Sequence, residues 1–169
     1  PTRRSSDLAA VGLGAIWKFP YMAGTNGGTI SNSYATGSVT GGSYIGGLVG
    51  QSFAVASTIT NSYATGDVAG VNYVGGLAGS ASGTVSGSYA TGGVTGTTYY
   101  VGGLVGKMNG NITNSHAIGI ARGNLYVGGL VGNMDGAIEN SYATGDVSGT
   151  AGVVGGLVGG QSSGDITNS

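Results

Sequence analysis

Five times along this chain the phrase Asn-Ser-Tyr-Ala-Thr-Gly, or a close variant, is followed by a short spacer and then by Gly-Gly-Leu-Val-Gly or its near copy. The leucine of the second phrase falls at Leu48, Leu77, Leu104, Leu130 and Leu157, in steps of 29, 27, 26 and 27 residues. Such a period marks stacked repeats, and a unit this short cannot bury an apolar face by itself. Each unit therefore needs a like neighbour above and below. The units open at Thr29, Thr58, Thr84, Asn111 and Ala137, and a sixth starts at Asp165.

Composition narrows what a unit is made of. Glycine supplies 39 of 169 residues and proline 2. A flexible low-complexity tract has that bias, yet it has no reason to keep its apolar residues in register with every repeat. Collagen is excluded, because glycine does not fall at every third position. Helix is disfavoured by about 1 kcal/mol per glycine relative to alanine. What remains is short β-branched strands joined by tight turns. Three strands and three turns per unit make one coil of an all-β parallel β-helix (β-solenoid), of about five coils of 26–29 residues, with rungs stacked at about 4.8 Å.

Stacking predicts vertical identities. Ile30, Ile59, Val85, Ile112 and Ile138 form one interior column, and the five leucines another. Val39, Val68, Val94 and Val147 form a third, with Ile120 taking that place in the fourth coil. Each buried side chain contributes about 1.5 to 3 kcal/mol, enough for a thin coil to outweigh the ordering of its glycines. Asn32, Asn61, Asn114, Asn140 and Asn168 recur after the first apolar residue, with Gly87 in their place in the third unit. Asparagine and glycine both tolerate left-handed backbone, which predicts a turn there; a stacked amide ladder is a second, compatible role. The face taken by the Asn-Ser-Tyr phrase stays open: strict alternation puts Ile30, Asn32 and Tyr34 on one side, whereas a bend at Asn32 turns the tyrosine outward.

The search for chemistry returns little. From Thr29 onward Lys107 and Arg122 face Asp67, Asp135, Glu139, Asp146 and Asp165, so nothing basic is available to hold nucleic acid. No cysteine offers a thiolate or a disulfide. The one histidine, His116, occupies a tyrosine position, and a lone histidine makes no metal site. Asp67 and Asp146 share a repeat position three coils apart, about 14 Å at one rung per coil, too far for paired carboxylate catalysis. Gly106-Lys107-Met108 lacks the first glycine and the hydroxyl of a phosphate loop. The Gly-Gly-Leu-Val-Gly spacing fits small-residue pairing of membrane helices, but no long apolar run surrounds it, so these glycines are expected to permit close backbone packing or turns. No Asp-rich nonapeptide for calcium appears. No catalytic, cofactor-binding or metal residue is expected. The candidate binding surface is the row Tyr34, Tyr63, Tyr89 and Tyr142; a second row is Tyr44, Tyr73, Tyr99 or Tyr100, and Tyr126. Aromatic rows contact sugars or proteins well, and they also brace a stack by ring-on-ring contact.

Residues 1–28 are a different text. Pro1 to Leu8 read as a translated sequencing adapter. Gly12-Leu13-Gly14, Ile16-Trp17, Phe19-Pro20-Tyr21 and Ala23 to Gly28 resemble the first transmembrane signature of the sodium-coupled neurotransmitter symporters. That resemblance implies a helix broken for sodium binding, but Ala15 replaces the family's asparagine, Lys18 its arginine, and a lone broken helix leaves backbone groups unsatisfied in lipid. A chimeric start outside the fold is expected, with the solenoid over 29–169.

The second phrase, Gly47-Leu48-Val49-Gly50 and its copies at Gly76, Gly103, Gly129 and Gly156, resembles the GLUG motif over residues 29–169. The resemblance implies a bacterial cell-surface or secreted protein in which such repeats lie outside any catalytic part. The expected role is a non-enzymatic structural or adhesive module, truncated at its C-terminus. An accessory region of a secreted hydrolase such as an immunoglobulin-cleaving protease, or a symporter fragment, are the rivals. Expected partners are neighbouring repeats, a host protein or glycan, and a second copy through exposed strand edges; no membrane insertion by the repeats is expected.

Overall fold

The computed structural model describes residues 23–169. The adapter-like residues and most of the symporter-like stretch therefore lie outside the described residues. Within 23–169 every regular element is a short strand, and every strand pairs in parallel with the like strand of the next coil. The third coil runs Thr84–Ser86, Tyr89–Ala90, Val94–Gly96, Tyr99–Gly102 and Val105–Met108, and Asn111–Thr113 then lies directly beside Thr84–Ser86. Stacking gives two sheets of six strands and three of five. The fold is the expected parallel β-solenoid of about five coils.

A coil holds five short strands rather than three. The additional breaks fall where the backbone turns left-handed, at the asparagine column, and at the Thr-Gly turn (Ile118-Gly119 in the fourth coil) before the next strand. Along the stack the five sheets are here called the isoleucine, first tyrosine, valine, second tyrosine and leucine-glycine sheets, in the order of the strands just given.

The isoleucine column holds as expected, pairing Ile30, Ile59, Val85, Ile112 and Ile138 and continuing to Ile166. The leucines stack through their own backbones: the N–H of Leu48 donates to the carbonyl of Leu77, that of Leu77 to Leu104, and so on to Leu157. The valine column is corrected in the fourth coil. Ala121, not Ile120, pairs with Val94 and Val147. The turn glycine sets this register: a Cβ on Gly119 would lie 1.9 Å from the carbonyl oxygen of Gly92, so the two turns stack directly. The first residue after the glycine then points away from the core and the second into it. Ile120 therefore takes the place of Asp67, Gly93 and Asp146.

The interior is also divided. Isoleucines, leucines, Met108 and Met134 form one core, while Val68, Val74, Val94, Val101, Ala121 and Val127 form a smaller one. Between them the second tyrosine and leucine-glycine sheets meet backbone to backbone. A Cβ on Gly132 would sit 2.5 Å from the Val101 nitrogen and 2.7 Å from the Tyr100 carbonyl carbon. This is the close packing that the glycine phrase led us to expect. On the other side of the leucine, a Cβ on Gly103 would come within 2.9 Å of the Ala117 Cβ, which explains why the Tyr-Ala strand carries alanine.

The stack begins earlier than Thr29. Ala23–Asn26 pairs in parallel with Val49–Ser52. The reason is visible in the residues: Ala23-Gly24-Thr25-Asn26-Gly27-Gly28-Thr29-Ile30-Ser31 aligns with Ala78-Gly79-Ser80-Ala81-Ser82-Gly83-Thr84-Val85-Ser86. The 29-residue step of the first coil is absorbed outside the stack, in a turn after Ser52 where Phe53 and Val55 are exposed.

Candidate binding surface

The Asn-Ser-Tyr-Ala phrase acquires its geometry from one residue. Asn32, Asn61, Asn114, Asn140 and Asn168 have φ between 49° and 51°, and Gly87 has 57°. The expected left-handed turn is there. It resolves the open choice of face: Ile30, Ser33 and Ala35 are buried, and Tyr34 points outward.

The bend takes the serine that follows out of the regular strand pairing, and its amide is met by a side chain. The N–H of Ser33 donates to Ser62 Oγ, Ser62 to Ser88, Ser88 to Ser115, Ser115 to Ser141 and Ser141 to Ser169, at 3.1 to 3.2 Å. Each hydroxyl in turn donates to the carbonyl two residues before it, as Ser62 Oγ does to Thr60 at 2.7 Å. Sequence reasoning missed this ladder. Its signal was a serine that follows the asparagine, or Gly87, in all six copies, readable as a buried hydroxyl once the bend is granted. Among the described residues no buried side-chain nitrogen or oxygen lacks a partner.

The outward rings form the first row. Tyr34, Tyr63, Tyr89, His116 and Tyr142 stack at 4.8 to 5.1 Å between centroids, with planes within 5°. The structure brings all four predicted tyrosines together and inserts His116 among them. Ring faces are spent on neighbouring rings, so the row offers edges and hydroxyls. Burial holds the His116 imidazole below its ordinary pKa.

The second row is built differently. Tyr44, Tyr73, Tyr100 and Tyr126 all have left-handed backbone, with φ of 58°, 53°, 57° and 54°. For a bulky residue this costs about 1 to 2 kcal/mol each. Tyr100, not Tyr99, holds the place in the third coil. Tyr44 and Tyr73 stack at 4.5 Å with planes 4° apart, but Tyr73–Tyr100 and Tyr100–Tyr126 are tilted by 40° and 33°. Lys107 Nζ lies 5.9 Å from the Tyr100 centroid. Burial, followed by the neighbouring phenols of Tyr73, Tyr126 and Tyr99, raises the Tyr100 pKa.

Other sequence candidates do not converge. Asp67 caps a turn, accepting from the Gly93 N–H at 2.8 Å, and Gly93 and Ile120 separate it from Asp146 along the column. Gly106-Lys107-Met108 lies in a strand with Met108 buried, not in a loop. A shallow groove on the valine sheet is lined by Thr40, Asp67, Thr95, Ile118 and Arg122. Among the described residues no three His, Cys, Asp or Glu side chains gather to hold a metal, and no helix is long and apolar enough to cross a membrane.

A unit of this kind, running from the second tyrosine strand through Gly-Gly-Leu-Val-Gly to the valine strand, is a known one. The family model for the GLUG motif matches residues 41–69 and 123–148. Both GLUG segments span one complete turn of the coil, and the intervening coils repeat their pairing without a break. A different relative matches a short stretch: the uncharacterized sodium-dependent transporter YhdH of Bacillus subtilis (strain 168) is 85% identical over 20 residues. That is 12% of this chain and 4% of the transporter, too little to carry any other part of that protein across. No solved structure matches the chain.

Proposed function

We propose that the repeats are a non-enzymatic spacer and adhesive module of a bacterial surface or secreted protein. The observation that supports this is where the recurring side chains go. Isoleucine, serine, alanine, leucine and the first tyrosines are used to hold the next coil, and the outward columns are left for contact. GLUG repeats with a β-solenoid fold suit a structural module, and the hydroxyl- and amide-rich exterior suits an extracellular setting.

In this reading the partners are of two kinds. Neighbouring repeats, or a second copy, pair through the strand edges at each end of the described stack. Host glycan or protein contacts the outward rows, with Tyr34, Tyr63, Tyr89 and Tyr142 offering edges and hydroxyls. The test is direct: the purified chain is assayed for retention on immobilised glycans and matrix proteins and, in parallel, for cleavage of immunoglobulin. Binding without cleavage is expected; cleavage by the purified chain, or retention on none of the surfaces, would overturn the proposal. The symporter-like stretch is proposed to be a chimeric junction, and an unbroken reading frame encoding further spanning helices in the source DNA would refute that.

A further inference from the structure

The two tyrosine rows differ in what the backbone must adopt to present them. Asparagine or glycine fills the left-handed position after each isoleucine strand, and these residues bear that conformation most easily. Tyrosine fills the other left-handed position in four coils running. The ring is kept there against the preference of its own backbone, and strain repeated in register is characteristic of a working surface.

These rings also present themselves differently. In the first row each face is covered by the next ring. In the second, Tyr44 and Tyr73 stack face to face, but Tyr100 is tilted from Tyr73, Tyr126 and, at 6.1 Å and 43°, Tyr99, so that its faces are not closed by parallel rings. Polar columns run on both sides. Asn72 donates to Ser43 Oγ and accepts from Thr98 Oγ1 on one flank. Gln51, Ser80, Lys107 and Asn133 pair in register on the other. Among the described strands of these two sheets Lys107 is the one cation; the anion, Asp135, is placed at a strand end and accepts from Ser163.

Apolar faces flanked by amides and hydroxyls, with one positive charge, fit a chain of sugar rings bearing carboxylates. One coil advances about 4.8 Å, close to the length of a six-membered sugar ring. Resting on the adhesive reading above and deepening it, we propose that Tyr73, Tyr99, Tyr100 and Tyr126 with Lys107 bind a linear acidic polysaccharide lying along the stack. Sugar faces lie against the tilted rings, a carboxylate meets Lys107, and ring hydroxyls meet the flanking polar columns.

The experiment is affinity electrophoresis of the whole chain through native gels containing polygalacturonate or neutral hydroxyethylcellulose. Stronger retardation by polygalacturonate is expected. The double substitution Tyr73→Asn, Tyr100→Asn should raise the Kd at least tenfold while leaving the Tm unchanged or higher, since asparagine suits the left-handed backbone. Lys107→Gln should remove the preference for the acidic polymer. A fall in Tm together with binding would show that these rings brace the stack, and would overturn the proposal. So would unchanged retardation of the double variant. Binding lost instead on Tyr63→Thr, Tyr89→Thr would refute this site and leave the adhesive reading standing. Retardation by neither polymer refutes the site, and absence of binding to any immobilised surface refutes both.

Discussion

Substitution of Gly106 by alanine puts the backbone-to-backbone contact between the two cores to the test. A Cβ there would lie 2.6 Å from the Gly79 carbonyl oxygen, 2.6 Å from the Val74 nitrogen and 2.7 Å from the Tyr73 carbonyl carbon. Ordinary contact begins at 3.4 Å, so each must open by about 0.7 to 0.8 Å. None of the three is a flexible side-chain end. Gly79 belongs to the preceding rung of the same sheet and the other two to the facing sheet, so relief in one direction tightens another. Overpacking costs about 1 to 3 kcal/mol, and three backbone contacts at once place this change near the top of that range. The alanine restricts the unfolded chain and returns about 0.4 to 1 kcal/mol. The expected net loss is about 2 to 3 kcal/mol, or a Tm lower by about 5 to 10 °C for a domain of this size. Gly42→Ala is the matched control, because nothing lies within 4 Å of its Cβ position and its φ is not left-handed. There the unfolded-state effect acts alone, and the Tm should rise by about 1 to 4 °C. Far-UV circular dichroism melts and urea titrations read both. A Gly106→Ala protein as stable as its parent, or equal losses in the two variants, would show that the sheets are not in the contact described.

Three further outcomes follow from the ladders. Ser88→Ala leaves the buried N–H of Ser62 without its acceptor, for a loss of about 1 to 3 kcal/mol, and hydrogen exchange at Ser62 should accelerate more than at Ser33. Asn61→Gly should be nearly neutral, as the third coil already has Gly87 at this position, whereas Asn61→Ala should cost about 1 to 2 kcal/mol; equal stabilities would contradict the left-handed turn. The His116 pKa, measured by NMR, should lie below the ordinary 6.5. The unfolded chain then takes up the proton first, so the stability due to His116 is complete above 6.5 and declines as pH falls through it; His116→Tyr abolishes that decline. A value above 6.5 would mean that the flanking phenol faces attract the imidazolium more strongly than burial disfavours it.

Much of this was legible because stacking turns sequence repetition into spatial contact. The asparagine turn could be read from Gly87 alone, since glycine substitutes for asparagine where the backbone is left-handed. The isoleucine and leucine columns followed from period. What escaped needed knowledge of local direction. Ile120 was placed in the core because it is apolar; its neighbour Ala121 is held inward by the stacked turn at Gly119, a matter of position and not of hydropathy. The serine ladder depends on a bend that alternation alone does not supply. The second core, and the left-handed tyrosines beside it, escaped for a related reason: tyrosine is seldom found in such backbone, so nothing in its identity announces the turn. Of the candidate surface, the first row was found by residue and its saturated ring faces were not.

Because each turn of the solenoid rests only on the turns beside it, copies of the unit are interchangeable. Unequal recombination between near-identical repeats in the gene would delete or duplicate a whole turn, leaving every hydroxyl, leucine and glycine seated on a counterpart. The rod would change its reach by about 4.8 Å per event without a new fold having to be found. Length, in such a protein, can be set by copy number.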